Sequence, residues 1–158
     1  KIKRKIGIDQ NPLDLKVADN ATWLKALIWP DLQERFLRME AAVEEARKAN
    51  ISMVAGSKID DFRAVIETVP KAEPLLVYHT HVLYQFSHAE RLAFRQLMDE
   101  IGTSRNFLNL AVEGFSIFDN MLPLSKGIQI ILTTYQEGVK NIEHLGTTDG
   151  HATWIRWK

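Results

Sequence analysis

The chain has 158 residues, with 20 Lys and Arg against 20 Asp and Glu and a formal net charge of zero. It is long enough to bury the core of a single domain, and it lacks the charge excess of a broad nucleic-acid or acidic-membrane surface. It has no cysteine, which excludes disulfides, thiolate zinc sites and a Cys nucleophile and fits a cytoplasmic setting. No apolar run approaches the roughly 18 residues of a membrane span, and no signal peptide is visible.

The basic opening, Lys1-Ile2-Lys3-Arg4-Lys5, reads as a solvated end. The chain starts abruptly, without an initiator Met, on what looks like a strand, so a fragment of something longer is expected. Ile6-Gly7-Ile8 is a short apolar strand ending at Asp9, and Pro12 stops it. Asp19 or Asn20 can cap a short helix carrying Trp23, Leu24, Leu27 and Ile28. Pro30 ends that helix. Leu32, Phe36, Met39, Val43 and Ala46 then recur at helical steps to about Ala49.

Residues 51–55 form a second strand closed by Gly56-Ser57. Ser57 can cap the following helix, with Asp60 and Asp61 in its first turn and Pro70 beyond its end. The stretch 75–87 opens as an apolar run, breaks at His79 and His81, and reads as a central strand buried on both faces whose last residues project from the sheet. Ser87-His88-Ala89-Glu90 has the form of a capping box. The helix after it turns Ala93, Leu97 and Ile101 inward, and Gly102 is a natural stop. A fourth strand covers 107–112 and ends at Glu113-Gly114. Residues 115–126 read as irregular or as one helical turn. The pattern then turns to β at 128–135 and 152–157, with a weaker stretch at 139–145 and a hairpin signal at Asp149-Gly150. Strand–helix alternation followed by a terminal antiparallel hairpin predicts a single α/β domain over 1–158 with a mostly parallel sheet.

In a parallel sheet ligands collect at the carboxyl ends of the strands. Asp9, Gly56-Ser57, His79-Thr80-His81 and Glu113-Gly114 would then share one edge. The competing reading is that every buried strand turns polar on reaching solvent. His79 and His81 would share a face of an extended strand, so they could be metal ligands completed by Glu113 and His151. They could equally be strand-end histidines bonded to loop backbone, and no metal site is assigned. Either histidine could be a general base. Asp9 could accept ribose hydroxyls or begin an Asx turn. Ser57 is a cap rather than a nucleophile, since no Gly-x-Ser-x-Gly surrounds it. His88 and His144 read as exposed, His151 as a turn residue. Trp23, Trp29, Trp154 and Trp157 read as core or interface aromatics. No Walker loop or Gly-x-Gly-x-x-Gly occurs.

Four stretches together resemble a known family: Ile6-Gly7-Ile8-Asp9-Gln10-Asn11-Pro12-Leu13-Asp14, Trp23-Leu24 with Trp29-Pro30, Val77-Tyr78-His79-Thr80-His81-Val82-Leu83, and Gly150-His151 with Trp154 and Trp157. The chain is similar to the C-terminal part of the uncharacterised bacterial domain-of-unknown-function family 2332, which has no established reaction. Its layout also resembles class I S-adenosylmethionine-dependent methyltransferases. That resemblance implies a Rossmann-like sheet and S-adenosylmethionine as cofactor. It implies cofactor contacts at Asp9 and at the strand end Gly56-Ser57, with the strand bearing His79 and His81 bordering the substrate. His79, His81 and Glu113 are then the candidate catalytic residues for an unknown small molecule. The glycine-bearing first strand of that fold has no counterpart in the chain. A homo-oligomer or an upstream segment would complete the sheet. Two rival expectations stand beside it: a metal-dependent hydrolase built on His79 and His81, and a non-catalytic binding or assembly module.

Overall fold

A computed structural model describes residues 2–114, 117 and 127–158. Its contacts fall into two compact units, 1–65 and 66–158. Residues 115–126, where an irregular stretch or helical turn is expected, lie outside the described residues except for Ile117. Among the described residues, no helix is long and apolar enough to cross a membrane.

The first unit holds strand β1 (Ile6–Asp9), helices α1 (Ala18–Ala26) and α2 (Gln33–Lys48), strand β2 (Ser52–Ala55) and the start of α3 (Ile59–Glu67). β1 and β2 pair in parallel from Ile6↔Ser52 to Asp9↔Ala55, so both strands end at the same side. β1 stops because the Asp9 carboxylate accepts the N–H of Asn11 at 2.7 Å, an Asx turn just before Pro12. α1 begins two or three residues earlier than its cap signals, Asp19 or Asn20, suggest, with Val17 as N-cap. The Asn20 amide donates to Asp14 O instead. Ala21 and Val43 are the buried apolar side chains of these two helices. Trp23 and Trp29, expected as core or interface aromatics, are exposed.

The second unit holds β3 (Leu76–Thr80), α4 (His88–Ser104), β4 (Phe107–Gly114), β5 (Ile128–Gln136), β6 (Val139–Thr148) and β7 (Ile155–Trp157). They form one sheet in the order β3-β4-β5-β6-β7. β3–β4 is parallel, whereas β4–β5, β5–β6 and β6–β7 are antiparallel. The sheet is therefore mixed, which corrects the mostly parallel expectation. The physical reason is local: β4 to β7 form a meander. β5 and β6 are joined by a two-residue turn, Glu137-Gly138, with φ of 52° and 77°. Positive φ at both positions is the primed turn whose twist matches a hairpin. Asn106 Oδ1 accepts the Glu137 N–H at 2.8 Å and holds the turn. The stretch expected to be a weak strand is thus ten residues long.

β3 is also corrected. It lies at the end of the sheet order, not at its centre, and Leu76 and Tyr78 are 54% and 58% exposed. A run that is apolar on both faces reads the same way whether one or two neighbours flank it.

The core lies between one face of this sheet and α4. Alternation puts Phe107, Asn109, Ala111 and Glu113 of β4 on a shared face with Gln129, Ile131, Thr133 and Tyr135 of β5, their register partners. Phe94, Leu97, Met98 and Ile101 are the buried stripe of α4. Its start is the expected capping box: Ser87 N–H donates to Glu90 Oε2 at 2.7 Å and Glu90 N–H to Ser87 Oγ at 3.3 Å. Its end is not Gly102. The helix continues to Ser104, and Gly102 is a contact glycine, because a Cβ there would collide with the Tyr135 ring. Arg105, just past the helix, is 8% exposed, and its guanidinium donates to Val69 O, Pro70 O and Glu73 O at 2.8, 3.2 and 2.7 Å. It pins the loop that leads into β3.

Candidate functional site

The expected meeting of four strand ends depended on one parallel sheet. With two sheets, parallel pairing joins the ends only in pairs: Asp9 with Ala55, and His79-Thr80 with the end of β4.

At the first pair the polar groups are spent within the chain. Asp9 closes its Asx turn. Gly56 N–H donates to Asp9 O at 2.9 Å and extends the ladder. Ser57 does not cap α3 with its hydroxyl. The amides of Ser57 and Lys58 instead both donate to Asp61 Oδ2 at 2.9 Å. Those amides, Lys58 first and then Ser57, hold the Asp61 carboxyl below its ordinary value. Of the three residues expected to hold S-adenosylmethionine, Asp9 accepts from Asn11, Gly56 donates to Asp9 O and the Ser57 amide donates to Asp61.

The second pair is different. The register His79↔Ala111 puts the small Ala111 beside His79 and Glu113 two residues further on the same face. His79 Nδ1 lies 3.0 Å from Glu113 Oε1. The same oxygen accepts the N–H groups of Val82 at 3.0 Å and Leu83 at 3.1 Å. His81 makes this possible through its backbone. Its φ is 51°, in the left-handed region, and the next residue is right-handed. That sequence of conformations makes successive amides converge into an anion-binding nest, and Glu113 fills it. His81 therefore lies beyond β3 and shapes the chain there, rather than sharing a strand face with His79.

Glu113 is fully buried and the His79 side chain is 9% exposed. Burial pushes the Glu113 carboxyl up, but the bonds from His79, Val82 and Leu83 outweigh it and leave the group below its ordinary value. An ionised Glu113 only accepts, so Nδ1 of His79 carries the proton in that bond and the neutral ring keeps its lone pair on Nε2. Among the described residues Nε2 is buried and has no hydrogen-bond partner. Phe94 of α4 meets the imidazole edge-on, with centroids 5.4 Å apart and planes at 82°. The ring is fixed from both sides.

His79 lines a cavity of about 50 Å³ beneath α4, together with Phe94, Asn109, Ile131 and Thr133. Asn109 Oδ1 is a second buried acceptor with no partner among the described residues. Asn109 carries no motif, but a lone amide within the apolar run Phe107-Leu108-Asn109-Leu110-Ala111-Val112 is the signal that marks it. A larger crevice, about 320 Å³, lies between α1 and α2. Its charges are paired among themselves, Lys25 with Glu40 at 3.2 Å and Arg47 with Glu44 at 2.6 Å, and it holds none of the strand-end groups. Among the described residues no three His, Asp or Glu side chains gather as metal ligands.

The family model described as an uncharacterized protein conserved in bacteria, DUF2332, matches residues 1–157. The chain belongs to that family. No curated protein and no solved structure matches it. In this DUF2332 chain the His79–Glu113 pair is buried, and His79 lines a cavity.

Proposed function

We propose that the chain binds a small organic molecule and acts on it by acid–base chemistry, with His79 taking the proton and Glu113 as its positioning residue. One observation carries this: Glu113 Oε1 is held by two backbone amides and by His79 Nδ1, which leaves Nε2 of this cavity-lining residue without a partner among the described residues. A carboxylate so held fixes the ring's tautomer and stabilises the imidazolium that forms when Nε2 takes a proton. The test is the ¹⁵N spectrum of the histidine rings in the full chain. The neutral His79 ring should show a protonated Nδ1 and a bare Nε2, and Glu113→Gln should mix the tautomers. An Nε2–H ring in the unaltered protein would sink the proposal.

A second reading is methyl transfer, favoured by the parallel pairs β1–β2 and β3–β4 followed by antiparallel C-terminal strands. In that reading His79, His81 and Glu113 face the substrate. Isothermal titration of the full-length protein with S-adenosylmethionine and with its demethylated product tests it. Absence of heat with both would remove it.

A further inference from the structure

We propose that the outer edge of β3 is an interface for a second copy of the chain. The two β3 strands would run antiparallel about a two-fold axis at Tyr78, joining two five-stranded sheets into one. The first observation is an open ladder. Leu108 N–H donates to Leu75 O and His81 N–H to Val112 O, both at 3.0 Å. The backbone groups of Val77 and His79 between them therefore turn toward β4. Alternation then turns the N–H and C=O of Leu76, Tyr78 and Thr80 the other way. Among the described residues β3 pairs with β4 alone, so these outward groups have no strand to bond.

The second observation is that the two ends of the sheet differ. β7, at the far end, has three residues, carries Arg156 and is followed by Lys158. Short length and charge are how an edge strand is kept from pairing. β3 has five residues, Leu-Val-Tyr-His-Thr, with no Lys, Arg, Asp, Glu or Pro and no break in its register. Leu76 and Tyr78 are exposed on the face opposite His79, and Leu108, the register partner of Leu76, is exposed beside them.

The third observation selects the occupant, because this edge is complementary to itself. With Tyr78 opposite its own counterpart, Leu76 falls opposite Thr80 of the second copy, and every outward N–H meets an outward C=O. The neighbouring registers leave groups unpaired. A shift one way sets Pro74, which has no N–H, opposite Thr80. A shift the other way sets Val82 opposite Leu76, and the Val82 N–H is already given to Glu113. The proline and the turn at His81 thus bracket a ladder centred on Tyr78. Forming it desolvates no charged side chain of β3, and opposed aromatic rings are a favourable cross-strand pair. With a formal net charge of zero, two copies do not repel.

The experiment is sedimentation velocity of the full chain up to roughly 200 μM, where the mass should rise with concentration toward twice the 18.1 kDa of one chain. Tyr78→Lys opposes two like charges across the axis and should leave a monomer, as should Tyr78→Glu. Mixing those two variants should restore a dimer, because position 78 meets itself in this register. A cysteine-free chain allows a second measurement that needs no loss of pairing. Tyr78→Cys should form an intermolecular disulfide on mild oxidation, since directly opposed hydrogen-bonded residues stand about 5.5 Å apart at Cα. Leu76→Cys, whose counterpart lies four residues along the strand and roughly 14 Å away, should crosslink at least about tenfold more slowly. A chain that stays monomeric throughout would overturn the proposal. So would a dimer indifferent to Tyr78→Lys, or crosslinking as fast through position 76 as through 78. A monomer whose Tyr78 amide resists hydrogen exchange would overturn it by showing that another segment holds the edge.

Discussion

Replacing Glu113 with Gln keeps the shape of the side chain and removes its charge. Three bonds converge on Oε1, from His79, Val82 and Leu83, at 3.0, 3.0 and 3.1 Å. A bond to a charged group contributes about 1.5–3 kcal/mol and a neutral one about 0.5–1.5, so losing the charge costs roughly 1 kcal/mol at each. The sum is about 3 kcal/mol. Part is returned because a neutral amide is easier to bury. The lowered carboxyl pKa shows that the bonds outweigh burial, so the net change is destabilising, about 1–2 kcal/mol near neutral pH. Unfolded Glu113 titrates at its ordinary 4.5 and folded Glu113 lower. Its contribution is therefore complete above 4.5 and is lost as pH falls through the folded value, where the unfolded chain binds more protons. Urea unfolding of both proteins should show a gap at about pH 7 that narrows at about pH 3. A gap of equal size at both pH values, or none at neutral pH, would refute the account of the nest.

Two other changes probe the frame around the site. Arg105→Ala removes the donor to Val69 O, Pro70 O and Glu73 O. It should cost about 3 kcal/mol or more in urea unfolding, with Arg105→Lys restoring only part. A loss under about 1 kcal/mol would mean the guanidinium is not what holds that loop. Gly102→Ala drives a methyl into the Tyr135 ring. Overpacking of roughly 1–3 kcal/mol should exceed the roughly 1 kcal/mol gained in helix propensity. A variant with a higher melting temperature than the parent would show that α4 can move away from β5.

α4 was legible because its signals agree: a Ser-x-x-Glu start and an apolar stripe at helical spacing. β4 was legible as a strand for the same reason, and Asp9 and Glu113 were correctly placed at strand ends. Strand direction was not legible. The residues of β5 fit a parallel or an antiparallel neighbour equally well, and the turn that decides the matter, Glu137-Gly138, lacks the Asn or Asp that usually marks it. The histidine pair misled because period-two spacing assumes an extended chain, and His81 leaves that conformation. The bond between His79 and Glu113, 34 positions apart, follows from the β3–β4 register. Register is a tertiary quantity that no short pattern encodes. The self-satisfied turns at Asp9 and Asp61 were half legible, since an acid near a turn can serve the turn or a ligand and only geometry chooses.

The position of β3 at the end of the sheet has a consequence for fidelity. Among the described residues, the strand that carries the imidazole takes its alignment from a single ladder, that with β4. Because side chains alternate, a slip of one residue would turn His79 outward and bring Tyr78 in. The chain carries its own stop against that error. His81 donates its N–H to Val112 O at 3.0 Å and then turns sharply, so the ladder ends at a fixed point. The kink thus acts as a registration pin: it sets where Glu113 receives its amides and, by the same placement, which way the imidazole faces.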